Sequence, residues 1–358
     1  MSTLCPKKDD LKDPATKKAD RLKTLSSLLQ EEKAFRKEQV CLAIFRTPVK
    51  RYSEITTLSK KLRDSIIDAL GDEILSLHVS KTHNVEQACK YLFELSDQNR
   101  IEAVRMEFQG DHTSLCISSQ VGCLCQCSFC STGKIGYQRN LSADEIVDQP
   151  LFFAKNDLPF RNVAFMGMGE PFLNPNLFDA LHILTSPKYM GLSERRLTLS
   201  TVGIPEGIAR LTREFPQISL TLSLHSPFNE ERNELVPFNK KYPIEELFEL
   251  LEEHLVKTNK KTYIAYMIIP GKNDTLAHVQ KLTSLLERKK LQHLFLVNLI
   301  RYNPPLDALS PSVQNEKKSL FAFKDLLEKR NIHVTIRQSF GSEIGAACGQ
   351  LAAEYPRK

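Results

Sequence analysis

Four of the nine cysteines in this 358-residue chain fall close together, at Cys123, Cys125, Cys127 and Cys130. Three of them, Cys123, Cys127 and Cys130, stand in a C-x3-C-x2-C pattern. Three thiolates can hold a 4Fe–4S cube and leave one iron without a protein ligand, whereas ferredoxin-type clusters take four cysteines. The open iron can chelate the amino and carboxylate groups of S-adenosylmethionine (SAM), and reduction of the cluster then cleaves the sulfonium to a 5′-deoxyadenosyl radical. A closed zinc site competes, but it wants four ligands, usually in two separated pairs. No second C-x-x-C follows downstream. Cys125 could supply a fourth ligand locally, although alternating C-x-C-x-C is cramped for a tetrahedron. Phe129, just before the last cysteine, suits a shield over the cluster and equally a packed loop aromatic.

A second set of residues suits the remaining groups of SAM. The segment Met166–Pro171 (MGMGEP) ends a strand-like run. Its glycines, Gly167 and Gly169, let backbone approach a ligand closely, and Glu170 can accept hydrogen bonds from an ammonium. Alone, a G-x-G-E turn is an ordinary strand terminus; beside the cysteine triplet it points to SAM. Ser200, the run Ser223-Leu224-His225 and Asn303 end three further strand-like runs with residues suited to ribose and carboxylate. Each singly reads as a loop residue. Together on one rim they favour binding.

Such residues need a frame. Strand-like runs at Ser114–Ser118, Asn162–Met166, Arg196–Ser200, Ile218–Leu224, Thr262–Ile269, His293–Leu299 and His333–Arg337 alternate with helical stretches. Repeated β-then-α order predicts parallel strands with helices packed outside. The fold class is therefore α/β, a partial barrel of about six βα units, with chemistry at the carboxyl ends of the strands. Ahead of residue 97 the pattern is helical. Leu22, Leu25, Leu28 and Leu29 recur at helix spacing, and a second helix runs through Glu38 to Phe45. The expected division is a helical accessory unit at residues 1–97 and the barrel at 98–358.

Composition excludes little, with 41% hydrophobic and 26% charged residues, as in ordinary globular proteins. No apolar run approaches the roughly 18–20 residues of a membrane helix. The charged start through Lys7, Lys8, Asp9 and Asp10 lacks the core of a signal peptide. A cytoplasmic monomer with no membrane partner is expected, in a compartment where thiols stay reduced. The formal charge of +6 permits an RNA partner without demanding one. Residues 1–50 hold twelve Lys/Arg against seven Asp/Glu, which reads as a solvated helical surface or as an RNA-facing patch. Cys5, Cys41 and Cys89 read as a tail thiol and two helix-packing residues.

Five segments in order carry a family resemblance: SSQVGCLCQCSFCSTG (Ser118–Gly133), FMGMGEP (Phe165–Pro171), RRLTLSTVGIP (Arg195–Pro205), SLHSP (Ser223–Pro227) and AACGQL (Ala346–Leu351). From about Glu102 to Leu351 the chain resembles the Cfr/RlmN family of radical SAM RNA methyltransferases. The resemblance implies that Cys123, Cys127 and Cys130 bind the 4Fe–4S cluster. It assigns SAM to Gly169, Glu170, Ser200, Ser223, Leu224, His225 and Asn303. It makes Cys348 the methyl-carrying cysteine, Cys116 its resolving partner and Glu102 a proton acceptor. By itself Cys348, in an Ala-Ala-Cys-Gly turn, reads as a small buried residue.

The implied chemistry uses two SAM per turnover. One methylates Cys348, and the other supplies the radical that takes a hydrogen from the S-methyl group. The carbon radical adds to an adenine ring and ties the RNA to the enzyme. Loss of the ring proton and attack by Cys116 free the product and leave a Cys116–Cys348 disulfide for cellular thiols to reset. An electron donor such as flavodoxin is implied for the cluster. Cys125 departs from the family's pattern.

Two activities share this machinery. RlmN-type enzymes methylate carbon 2 of an adenosine at the peptidyl-transferase centre of 23S rRNA, and of certain tRNAs. Cfr-type enzymes methylate carbon 8 of the same rRNA adenosine and confer antibiotic resistance. The segments SPFNEER (Ser226–Arg232), TYIAYMIIPGKND (Thr262–Asp274), VNLIRYNP (Val297–Pro304) and HVTIRQSFG (His333–Gly341) are similar to Cfr, while Pro171 follows the RlmN habit. Carbon 8 of 23S rRNA is the expectation. Carbon 2 of 23S rRNA and tRNA is the alternative, and a zinc-containing RNA-binding protein a remote one. Either target adenosine must be unstacked and presented from a single-stranded region.

Overall fold

The computed structural model describes residues 20–108, 112–287, 291–304 and 313–354; Cys5, Lys7 and Lys8 lie outside them. Three helices come first, α1 (Arg21–Leu28), α2 (Ala34–Arg46) and α3 (Lys60–Leu70). Four strands follow, β1 (Leu77–Val85), β2 (Ala88–Leu95), β3 (Arg100–Phe108) and β4 (His112–Ile117), each antiparallel to the next. A small pair, β5 (Gln120–Gly122) and β6 (Tyr137–Asn140), brackets the short helix α4 (Ser131–Ile135). After α5 (Ala143–Lys155) the chain alternates through β7 (Asn162–Phe165), α6 (Leu177–Thr185), β8 (Leu197–Thr201), α7 (Pro205–Glu214) and β9 (Ser219–Ser223). It continues through α8 (Asn229–Leu235), α9 (Ile244–Thr258), β10 (Thr262–Ile268), α10 (Leu276–Glu287), β11 (Phe295–Arg301), α11 (Val313–Glu328) and β12 (Val334–Ile336).

Ten of these strands form one sheet in the order β1-β2-β3-β4-β7-β8-β9-β10-β11-β12. From β4 to β12 every neighbouring pair is parallel, and β1 and β12 are open edges. This is the expected α/β partial barrel. Its central strands are apolar because helices cover them: Leu220 and Leu222 of β9 and Val297 and Leu299 of β11 are wholly buried. The outer helices supply the matching stripes. Ile244, Leu247, Phe248, Leu251 and Leu255 of α9 recur at helical spacing, and all are buried. Every strand-like run of the sequence is a strand within two residues or so at its ends, except that the run from His293 starts at Phe295 after a turn of 3₁₀ helix.

Residues 20–97 depart from expectation. Their last helix ends at Leu70; β1 and β2 extend the barrel sheet, and β2 pairs with β3 from Ala88↔Met106 to Glu94↔Arg100 across the expected boundary. Edge strand β1, LHVSKTHNV, is half polar and shows little apolar alternation. Pairing with β2 makes it a strand, and local pattern cannot report that. Cys89 accordingly lies on β2, whereas Cys41 is buried on α2. The basic N-terminal region is also partly spent on structure. Arg21 forms a buried ion pair with Asp148 of α5 at 2.7 Å, and Asp148 also accepts from the backbone N and hydroxyl of Ser76. Arg36 donates to the carbonyl of Thr57, and Arg46 to those of Tyr189 and Pro187. Among the described residues no helix is long and apolar enough to cross a membrane.

Candidate active site

The carboxyl ends of the parallel strands converge on a cavity of about 150 Å³. Cys123, Cys127 and Cys130 all line it. They come from the loop after β5, whose path is set by two close approaches. Gly122 (φ 77°) passes so near the Gly136 carbonyl that a Cβ would lie 1.8 Å from its oxygen. At Gly133 a Cβ would lie 2.9 Å from the amide N of Cys127, so α4 can press against the cysteine loop only with glycine there. Burial, then the charges of the neighbouring cysteines, pushes the Cys127 thiol well above its ordinary value; burial and Cys123 also raise Cys130, against hydrogen bonds from Gly133 and Thr132. Cys125 lines the same cavity; it is buried in an apolar cluster with Cys127, Leu235 and Val236, and its backbone N donates to the Cys123 sulfur at 3.4 Å. Phe129 packs edge-on against His225, with ring centroids 4.7 Å apart, and beside Cys348.

Gly169, Glu170, Ser200, Ser223 and His225 form the facing wall. At Gly169 (φ 98°) a Cβ would lie 2.6 Å from the side chain of Gln120, whose amide oxygen accepts from the Glu170 backbone N at 2.9 Å. The Glu170 carboxylate accepts from the amides of Val202 (2.8 Å) and Phe172 (3.2 Å). Burial dominates over these bonds and raises its pKa to about 7. Ser200 and Ser223 meet hydroxyl to hydroxyl at 3.2 Å. His225 takes a left-handed backbone conformation (φ 60°), and its Nδ1 accepts from the amide of Met267 at 3.1 Å. Burial, with Arg232 nearby, depresses it to about 3, so this imidazole is neutral.

Two sequence candidates for this wall sit behind it. Leu224 is fully buried. The Asn303 amide donates to the carbonyl of Cys348 at 3.3 Å and its oxygen accepts from Ser339 at 3.1 Å, so Asn303 braces the Cys348 turn. Cys348 itself is in the cavity wall. Cys116 lies behind on β4, within electrostatic reach of Cys348; burial, more than that neighbour, pushes its thiol up to about 12. Glu102 is 1% exposed and fully engaged, pairing with Lys90 at 2.9 Å and accepting from the amide of Ala352 at 2.9 Å.

The family comparisons match this geometry. A Radical SAM superfamily model matches residues 117–286. The chain is 44% identical over 324 residues to the ribosomal RNA large subunit methyltransferase Cfr of Bacillus velezensis, covering 90% of this chain and 93% of that one. It is 44% identical over 325 residues to the Cfr of Staphylococcus aureus, with the same coverage. A crystal structure of a radical SAM methyltransferase from Sphaerobacter thermophilus superposes with a TM-score of 0.85 at 35% identity, covering 95% of this chain and 99% of that one. The chain belongs to the Cfr family of radical SAM methyltransferases.

A Cfr-family chain works with a 4Fe–4S cluster and SAM, and the residues present fit both. Three thiols line one wall; two of them, Cys127 and Cys130, resist becoming separate anions, and binding iron in place of their protons removes that resistance. Among the described residues no three or more His, Cys, Asp or Glu are gathered around a single-ion site, and a four-iron cube needs its cysteines spread wider than that. Opposite them stand a buried carboxyl and paired hydroxyls suited to an ammonium and a ribose.

One member of this Cfr-family site escaped sequence reading. Arg232 of α8 is fully buried and ties the wall loops together, donating to the carbonyls of Val202 (2.6 Å), Leu224 (3.0 Å) and Ser223 (3.0 Å) and to Asn239 (2.5 Å). Burial lowers it to about 10, with Cys127 and Cys125 pulling the other way, so it remains a cation beside the cysteine loop. An arginine in SPFNEER reads as helix surface, and only tertiary packing turns it inward.

Proposed function

We propose that this chain methylates an adenosine of the 23S rRNA peptidyl-transferase centre, at carbon 8. The observation that carries the reading is the placement of two cysteines on one side of the cavity: Cys348 in its wall and Cys116 behind it. A cluster-and-SAM site needs neither. A methyl relay through sulfur needs both. The 44% identity to proteins named ribosomal RNA large subunit methyltransferase Cfr supports rRNA as substrate, and carbon 8 rests on the Cfr-like segments of the sequence.

When bound, the cluster and SAM supply a methyl group and a 5′-deoxyadenosyl radical. Glu170 orients SAM by accepting from its ammonium, with Ser200, Ser223 and His225 along the same wall. Cys348 presents its sulfur to the cavity from a turn that Asn303 braces, where a methyl group carried on it would be open to bound SAM and to the incoming base. Cys116, a buried thiol at neutral pH, is kept from premature reaction; at the end its sulfur would attack that of Cys348. The S–CH2 bond to the base would break with its electron pair going to the methylene, and a proton taken up there would complete the methyl group as the disulfide forms. Glu102 takes the ring proton, which requires one carboxylate oxygen to be released from the Ala352 amide. The barrel, with β1 and β2 extending its sheet, carries this chemistry, and the N-terminal helices α1 to α3 are accessory to it. A flavodoxin-type protein supplies electrons in the cytoplasm.

The test is expression in cells lacking the endogenous carbon-2 enzyme, with methylated adenosines mapped in 23S rRNA by mass spectrometry. 8-Methyladenosine that disappears in Cys348→Ala is the expected result. 2-Methyladenosine, in rRNA or tRNA, would assign the carbon-2 activity instead. No methylation from a protein with an intact cluster would remove the rRNA assignment.

A further inference from the structure

Two arginines at strand carboxyl ends, Arg301 closing β11 and Arg337 just after β12, share a cleft of about 300 Å³ with Gln87, Gln338 and Ser339. The Nε of Arg301 is buried without a hydrogen-bond partner. Arg337 donates Nη1 to the thioether of Met166, a weak acceptor. No ion pair joins either arginine to a carboxylate among the described residues, although Arg21 of α1 and Arg139 of β6 each pair with two. Guanidinium groups with no carboxylate partner among the described residues, set beside the side-chain amides of Gln87 and Gln338, form an arrangement that phosphate oxygens complete, because the planar fork matches them.

The cleft's position identifies the phosphate. Arg337 lines both this cleft and the cavity that contains Cys348. A nucleotide has the same two parts, a flat base and a charged phosphodiester. We propose that the cleft binds a backbone phosphate of the RNA adjoining the adenosine being modified, with Arg301 and Arg337 as its charged donors. The assignment rests on the RNA-methylation reading above. It adds the contact that registers the strand, since phosphate contacts position a nucleic acid while contacts to the base select it.

The test uses the full chain with its cluster reconstituted and a transcript of the 23S rRNA peptidyl-transferase region. RNA affinity is measured across a salt series for wild type, Arg301→Ala, Arg301→Lys and Gln338→Glu. Arg301→Ala is expected to weaken binding roughly 5–10-fold and to lower the slope of log affinity against log salt by about 1. Arg301→Lys should recover part of the loss. Gln338→Glu, which puts a negative charge at an exposed rim position and leaves Arg301 intact, should weaken binding in the same direction. In turnover the change should fall on KM and spare kcat. Wild-type affinity and slope in both Arg301→Ala and Gln338→Glu, with methylation proceeding, would overturn the phosphate site and leave the methyltransferase reading standing. A loss confined to turnover driven by a protein electron donor, absent with dithionite, would overturn it in favour of an acidic protein partner. A wild-type chain that cleaves SAM yet neither binds nor methylates the transcript would overturn both.

Discussion

At the residue scale, burial sets the chemistry of the site more than charge does. Glu170 has an ordinary carboxyl value of 4.5 raised to about 7. Between those values the folded chain holds a proton that the unfolded chain has released, so this group makes stability fall as pH rises through that window. Accepting from the SAM ammonium requires the ionised form, so SAM binding should weaken as pH falls through about 7, by at most tenfold per unit. Equilibrium dialysis of the cluster-loaded protein against pH measures this, and a flat profile from 5.5 to 8 would deny Glu170 that role. Cys116 is the second case. With its thiol pushed up to about 12 and 8% exposed, it should resist iodoacetamide at pH 8 while Cys348 is labelled, as peptide mapping would show. If Cys116 frees the product, Cys116→Ala should leave RNA attached to Cys348, visible as a slow band on a denaturing gel and absent from Cys116→Ala/Cys348→Ala.

At the element scale, the cysteine loop depends on glycines that admit no side chain. A Cβ on Gly133 would press on the Cys127 amide at 2.9 Å, and the backbone there has little freedom to retreat. Gly133→Ala should therefore lower iron per chain after anaerobic reconstitution while the far-ultraviolet circular dichroism stays that of wild type. The start of α5 is fixed by a capping box in which Ser142 accepts from the Glu145 amide at 3.1 Å and Glu145 accepts from the Ser142 amide at 2.9 Å. Glu145 also forks to Arg139 at 2.7 and 2.9 Å, so this cap ties α5 to β6. Ser142→Ala should cost about 1 kcal/mol in denaturant unfolding.

At the scale of the whole molecule, a buried ion pair is among the contacts that join the N-terminal helices to the barrel. Arg21 and Asp148 are both essentially buried, and Asp148 accepts from Arg21 and from both the amide and hydroxyl of Ser76. Asp148→Ala leaves the buried Arg21 guanidinium with only its longer contact to Asp144 at 3.8 Å and should destabilise by about 3 kcal/mol. The double variant Arg21→Met/Asp148→Leu should recover much of that, because removing both charges removes the desolvation cost. Equal losses in the single and double variants would mean that shape, not the ion pair, holds the helices in place.

The parallel barrel, the cysteine triplet and the glycine-rich wall were legible in the sequence because each depends on local order. Apolar runs alternate with helical stripes, and three thiols at C-x3-C-x2-C spacing share one loop whatever surrounds them. Contacts between distant segments were not legible. Strand β1 exists because β2 pairs with it, and the polar run LHVSKTHNV gives no sign of that on its own. Asn303 ends a strand on the rim as its sequence suggested, yet its amide faces the Cys348 turn, a partner 45 residues away. Arg232 and Arg337 look alike as charged residues in polar segments. Packing buries one among backbone carbonyls and leaves the other between two cavities. Local pattern determines which elements form and what chemistry their loops carry; only tertiary packing decides which side chains lose water, and with water their ordinary charge.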